Sequence, residues 1–219
     1  MFLHGYLSSK EAFAASFAYF SRFYRVTAID FLGFGGSVAL TEPFSVSDYA
    51  AWTKEVLELL QVKKPHVIAH SFGCRVAVKL AAEDKTYFDK MLLTGAAGVI
   101  LNRGFSYRFK VGTYRLVRRV FPRFAERHFG SKEYRSLSPI MKESYKKIVN
   151  EDLRECAKRI ENEVLIVEGK EDTVTPMREA EAYLACLKRG RLKTVSGGHF
   201  AFAENPVVFN LIAEEFFYE

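Results

Sequence analysis

Between Pro65 and Glu83 the chain changes its hydrophobic period across a single residue. PHVIAH (65–70) is a short apolar, β-branched run of the kind that forms a buried strand, Phe72–Glu83 has helical spacing, and only Ser71 stands between them. Such a junction belongs to a parallel sheet, whose strands need crossover helices to return the chain to the same edge. The rest of the sequence repeats the alternation. Strands are predicted at 1–4, 25–30, 89–94, 163–168 and 191–195, and helices at 8–22, 45–60, 176–187 and 206–217. Ser8 or Ser9 is placed to cap the first helix, with Glu11 in its first turn. The predicted fold class is α/β: a mostly parallel sheet flanked by helices.

The alternation stops between 99 and 159, where only helical segments are legible, with breaks near Pro122, Gly130 and Pro139. The charge shifts at the same place. The chain has 219 residues, 32 Lys plus Arg and 26 Asp plus Glu, for a net +6. Residues 101–159 hold 16 of the basic and 6 of the acidic residues, a balance of +10, so the remainder is −4. The predicted organisation is therefore a core of residues 1–98 and 160–219, interrupted by a basic helical insert at 99–159. No apolar run approaches the roughly 20 residues of a membrane-spanning helix. No secretory leader is legible, and the three cysteines (Cys74, Cys156, Cys186) suit neither a disulfide framework nor a zinc site. A cytoplasmic location is the expectation.

Ala69-His70-Ser71-Phe72-Gly73 is where chemistry is expected. A serine on so tight a strand-to-helix turn needs strained backbone angles, and the residues two before and two after it must be small. The segment resembles the G-x-S-x-G nucleophile elbow of the α/β-hydrolase family, with Ala69 in place of the first glycine. A serine hydroxyl needs a base. His199 is the candidate, because Gly198-His199-Phe-Ala-Phe-Ala-Glu-Asn-Pro resembles the family's histidine loop. Gly169-Lys170-Glu171-Asp172-Thr173-Val174-Thr175-Pro176 resembles the family's acid loop. The resemblance implies Asp172 as the carboxylate that orients His199, with Glu171 as the alternative. The order Ser71, Asp172, His199 is that of the family.

An acyl-transfer transition state needs preset donors for its oxyanion. The Phe72 amide is one candidate. Leu3-His4-Gly5-Tyr6-Leu7 resembles the family's oxyanion loop, which implies the Tyr6 amide as the second, or that of Leu7. His4 is expected to hold this loop; His4, Leu7 and Arg75 are also candidate substrate contacts. Asp30-Phe-Leu-Gly-Phe-Gly-Gly-Ser37 resembles a further loop of the family. Its glycines run toward Pro43 rather than into a helix, which argues against a dinucleotide site. Neither a metal-ligand cluster nor a cofactor motif is present, so no metal or cofactor is expected.

The resemblance covers nearly the whole chain and places the insert where the family carries its cap. The run from Phe129 to Leu153 resembles the cap of small bacterial members. Members carry edge strands ahead of the oxyanion loop, whereas Met1 stands almost on the motif, so those edge strands are expected to be missing. The activity implied is serine hydrolysis of a small ester, thioester or related acyl compound through an acyl-enzyme. A C–C hydrolase or lyase reaction on an anionic substrate, and a non-catalytic ligand-binding role, are the alternatives. The partner expected is a small acyl molecule, anionic if the basic cap or Arg75 binds it, and not a nucleic acid. The oligomeric state is left open.

Overall fold

A computed structural model describes residues 1–101 and 132–219. Six strands form one parallel sheet: β1 (Phe2–Leu3), β2 (Ala28–Ile29), β3 (Val67–His70), β4 (Met91–Thr94), β5 (Val164–Gly169) and β6 (Gly190–Val195), in the spatial order β2-β1-β3-β4-β5-β6. Every neighbouring pair is parallel. β3, β4 and β5 are buried throughout and read as unbroken apolar runs, the pattern of strands covered on both faces. β6 alternates and is half exposed along the edge.

The helices follow the predicted alternation. α1 (Ala14–Phe20) is preceded by a 3-10 turn at Lys10–Phe13, so the helix expected from residue 8 starts later. α2 (Val46–Leu59) is opened by a capping box in which Ser45 and Asp48 satisfy each other's backbone amides. α3 (Phe72–Glu83) starts immediately after Ser71 and is buried over most of its length. Three helices, α4 (Lys132–Ser136), α5 (Pro139–Val149) and α6 (Arg154–Ala157), occupy the described end of the non-alternating segment. Ser138 caps α5 and Pro139 takes its first position, which explains the break read there. The expected breaks at Pro122 and Gly130 lie outside the described residues. α7 (Met177–Leu184), α8 (Ala201–Glu204) and α9 (Pro206–Tyr218) complete the chain.

The sheet separates two apolar clusters. One face packs Leu3, Val67, Ala69, Leu93, Val164 and Ile166 against α2, α3 and α7. The other packs Phe2, Ile68, Leu92, Leu165 and Val167 against α1, α8 and α9. The predicted strand at 25–30 shortens to two residues at the edge of the sheet, where β1 alone pairs with it. The carboxyl ends of β1, β2, β3, β5 and β6 all carry motifs singled out in the sequence. That common edge is where parallel α/β sheets place ligands.

Candidate active site

Ser71 sits at φ 49°, ψ −107°, a conformation a serine seldom adopts. The surroundings enforce it. The Ser71 amide donates to the Thr94 carbonyl (3.0 Å), and its own carbonyl accepts from the Cys74 amide (3.0 Å). Gly73 lies so close to β1 that a Cβ there would collide with the Leu3 carbonyl. The need for a small residue two places after Ser71 is thus a close approach of α3 to its neighbouring strand. Phe72 opens α3, so its amide is among the first-turn donors that no helical carbonyl can take.

The loop after β1 packs on the same turn. A Cβ on Gly5 would lie 3.5 Å from the Ser71 Cβ and 2.6 Å from His70 Nδ1. His4 is buried, with Nδ1 2.7 Å from the Gly5 carbonyl and Nε2 accepting from the Phe31 amide (3.0 Å). That pairing describes a neutral ring, and burial lowers its pKa accordingly. Both nitrogens are used in joining two loops, so His4 has none left for a substrate. Tyr6 turns its ring among Phe34, Phe72 and Tyr145 and donates its hydroxyl to the Met141 carbonyl of α5 (3.0 Å). Leu7 is half exposed at φ 58°.

His199 and Asp172 meet at the ends of β6 and β5: His199 Nδ1 is 2.8 Å from Asp172 Oδ2. Asp172 is buried and divides its oxygens. Oδ1 accepts from the Val174 and Thr175 amides (2.7 and 3.0 Å), and Oδ2 takes His199 and the Thr175 hydroxyl (2.8 Å). Burial works to raise this carboxyl; the bonds from His199 and Thr175 outweigh it and hold the pKa below its ordinary value. Glu171, the alternative acid, points elsewhere: its Oε2 accepts from the Gly197 amide (2.6 Å). Glu204 accepts from the Gly198 amide (2.6 Å), so the two glutamates brace the loop that carries His199.

The loop after β2 is tied by Asp30. Its carboxylate accepts from the Lys10 amide (2.7 Å), the Lys10 ammonium (2.5 Å) and the Gly36 amide (2.9 Å), and its carbonyl accepts from Ser37 Oγ (2.6 Å). Gly35, at φ 52°, leaves no room for a side chain beside that carboxylate. The motif is a clamp around an acid.

Arg75, a candidate substrate contact, turns toward the protein interior. It is buried, and its Nη1 donates to the Ile148 and Glu151 carbonyls (3.0 and 2.7 Å) at the end of α5. An arginine on the elbow helix thereby anchors the end of the non-alternating segment, a use that its sequence position did not suggest. Lys79 pairs with Glu151 (2.7 Å) one turn on. Other cations of this segment are paired locally: Lys146 with Glu143, Arg154 with Asp152 and Lys158 with Glu155.

Sequence reasoning missed two buried groups. His70, beside Ser71, has its Nε2 2.9 Å from the His199 carbonyl, with the two rings 4.7 Å apart. Glu168, at the end of an otherwise apolar strand, is fully buried and meets the Thr175 hydroxyl (3.1 Å). A glutamate closing the run VLIVE was its only mark in the sequence. Among the described residues no His/Cys/Asp/Glu cluster could hold a metal ion.

Residues 1–139 match the family described as alpha/beta hydrolase fold. The chain belongs to that family. It is 23% identical to an uncharacterized protein of Mycobacterium tuberculosis, over 99% of this chain and 74% of that protein. Among solved structures it is similar to an esterase from Exiguobacterium antarcticum (20% identity, TM-score 0.80, 100% of this chain and 91% of that one). It is also similar to a meta-cleavage product hydrolase from Pseudomonas fluorescens (24%, TM-score 0.75, 99% and 89%). At these identities the likeness to solved structures is one of fold. No helix among the described residues is long and apolar enough to cross a membrane.

Proposed function

We propose that the protein is a serine hydrolase of small esters, thioesters or related acyl compounds. The observation that carries the reading is the 2.8 Å contact of His199 Nδ1 with a buried, ionised Asp172, on the same sheet edge as a serine held at positive φ. Asp172 fixes the tautomer of His199, which leaves Nε2 unprotonated to accept the Ser71 proton. The Ser71 oxygen attacks the acyl carbon, and the carbonyl oxygen becomes an oxyanion. The amides of Phe72 and Tyr6 are the donors assigned to it. His199 then protonates the leaving group. Water, deprotonated by His199, attacks the acyl-enzyme and releases the acid, restoring Ser71.

The non-alternating segment 99–159 is read as a cap over this edge. Tyr6 and Arg75 are its described anchors, and the aromatic rings of Tyr6, Phe72 and Tyr145 suit an apolar acyl group more than a charged one. C–C cleavage on an anionic substrate is the competing chemistry; one structural neighbour is named a meta-cleavage product hydrolase. The test is turnover of a panel of p-nitrophenyl esters varied in charge and chain length, together with labelling by a fluorophosphonate. Ser71-dependent labelling and turnover of neutral esters, both lost in Ser71→Ala, are expected. Equal rates in wild type and variant overturn the reading. Labelling without turnover of any neutral ester turns it toward the competing chemistry.

A further inference from the structure

The acid loop contains one more proton carrier than the chemistry above uses. Thr175 Oγ1 stands within hydrogen-bonding distance of Asp172 Oδ2 (2.8 Å), Glu168 Oε1 (3.1 Å) and His199 Nδ1 (3.3 Å). A hydroxyl has one proton, and the His199 Nδ1 proton already serves Asp172. Were both carboxyls ionised, they would compete for the single Thr175 proton. The other Glu168 oxygen has a long contact from the Ala96 amide (3.4 Å), with the Gly95 amide a lesser donor to the carboxyl, and among the described residues no Lys, Arg or His nitrogen forms an ion pair with Glu168. A fully buried carboxylate with so few donors is strongly disfavoured. A neutral Glu168 resolves the conflict: its O–H donates to the Thr175 oxygen, and the Thr175 O–H donates to Asp172.

We propose that Glu168, as a neutral acid, is a positioning residue that acts through Thr175 to lock Asp172 against His199; this rests on the triad assigned above. The titratable groups around it respect the assignment. Asp172, on its own loop, stays ionised. Cys74 on α3 and Tyr183 on α7 share the core cluster of Val164 and Ile166, and burial pushes both up, so they stay neutral. The charged residues of α7, Arg178, Glu179 and Glu181, occupy partly or fully exposed positions. Burial first, with the charge of Asp172 adding to it, pushes Glu168 up to about 8. Glu168 is therefore the group of this cluster whose proton is lost in mildly alkaline solution. The Thr175 proton then turns to Glu168, and Asp172 loses a donor.

The experiment compares wild type, Glu168→Gln and Glu168→Ala in p-nitrophenyl ester turnover against pH, with the Ser71→Ala rate subtracted. It also follows the Nδ1–H proton resonance of His199 by NMR without substrate. Gln keeps a donor toward Thr175 and cannot ionise; Ala removes the chain. Glu168→Ala is expected to lower kcat about tenfold at pH 7 with KM changed less than about twofold, the mark of a loosened constellation, and Glu168→Gln to restore most of the loss. The wild-type resonance is expected to move with a midpoint near pH 8 and that of Glu168→Gln to stay still. The proposal is overturned if the resonance behaves alike in both, or if the folded Gln variant loses as much kcat as Ala. Should wild type show no Ser71-dependent turnover, the hydrolase reading fails, and the resonance still decides whether Glu168 controls the Asp172–His199 pair.

Discussion

His70 Nε2 lies 2.9 Å from the carbonyl of His199, so the residue before the candidate nucleophile supports the backbone of the candidate base. Two residues 129 apart in sequence are joined directly beneath the site. The bond makes Nε2 the donor; it favours protonation of the ring, but burial, together with the nearby His199, outweighs it and pushes the His70 pKa down to about 3, so the nitrogen facing Gly5 stays unprotonated.

This depression has a consequence for stability. In the unfolded chain a histidine titrates near 6.5, so between there and about 3 the unfolded state binds a proton that the fold refuses. Stability must therefore fall as pH falls through that window. Between pH 7 and 4.5, the unfolding free energy of wild type should drop about 2 kcal/mol more than that of His70→Gln, which keeps an N–H for the His199 carbonyl. Urea titrations at the two pH values measure it. Equal drops would mean that His70 takes up its proton in the fold.

Asp172 and Glu171 are adjacent but have different duties. Asp172→Asn leaves the turn and removes the charge, and should lower kcat by about 10³–10⁴-fold with KM little changed, as in the worked serine-protease case. Glu171→Gln alters only the brace on Gly197 and should cost about threefold or less. Steady-state kinetics of the two variants separates them. A larger loss at Glu171 would reverse the assignment.

Arg75 is expected to act through structure. Arg75→Ala leaves the Ile148 and Glu151 carbonyls without their buried donor and should cost about 2–3 kcal/mol of stability. Its effect on kcat/KM should be the same for neutral and anionic esters. A selective loss on the anionic members of the panel would instead place a substrate charge on Arg75.

Gly73 tests the elbow. Gly73→Ala drives a methyl into the Leu3 carbonyl, backbone that cannot rotate away, and should destabilise the fold by about 2 kcal/mol or more. Chemical denaturation reads the change. Fluorophosphonate labelling of whatever folds should also slow, because relief of the clash separates α3 from the loop that carries Tyr6.

Local order in the chain was enough to read the order of strands and helices, because buried parallel strands are unbroken apolar runs and two of the helices carry their own caps, whereas the expected cap at Ser9 makes no side-chain bond. Ser45 with Asp48 and Ser138 with Pro139 are signals a sequence displays. The proposed triad of Ser71, Asp172 and His199 rests on the same kind of signal, since each sits in a turn that demands particular small or turn-forming neighbours. Strand lengths were less legible: RVTAID contributes only Ala28–Ile29 to the sheet, because pairing at an edge depends on what lies beside it. The partners of buried polar groups were invisible. Nothing near His70 announces His199, nothing near Arg75 announces the end of α5, and Glu168 reads as an ordinary strand end. Turn chemistry acts over a few residues and is written in the sequence. The burial that neutralises His70, raises Glu168 and turns Arg75 onto a helix end arises only when distant segments exclude water together, and that the tertiary structure alone decides.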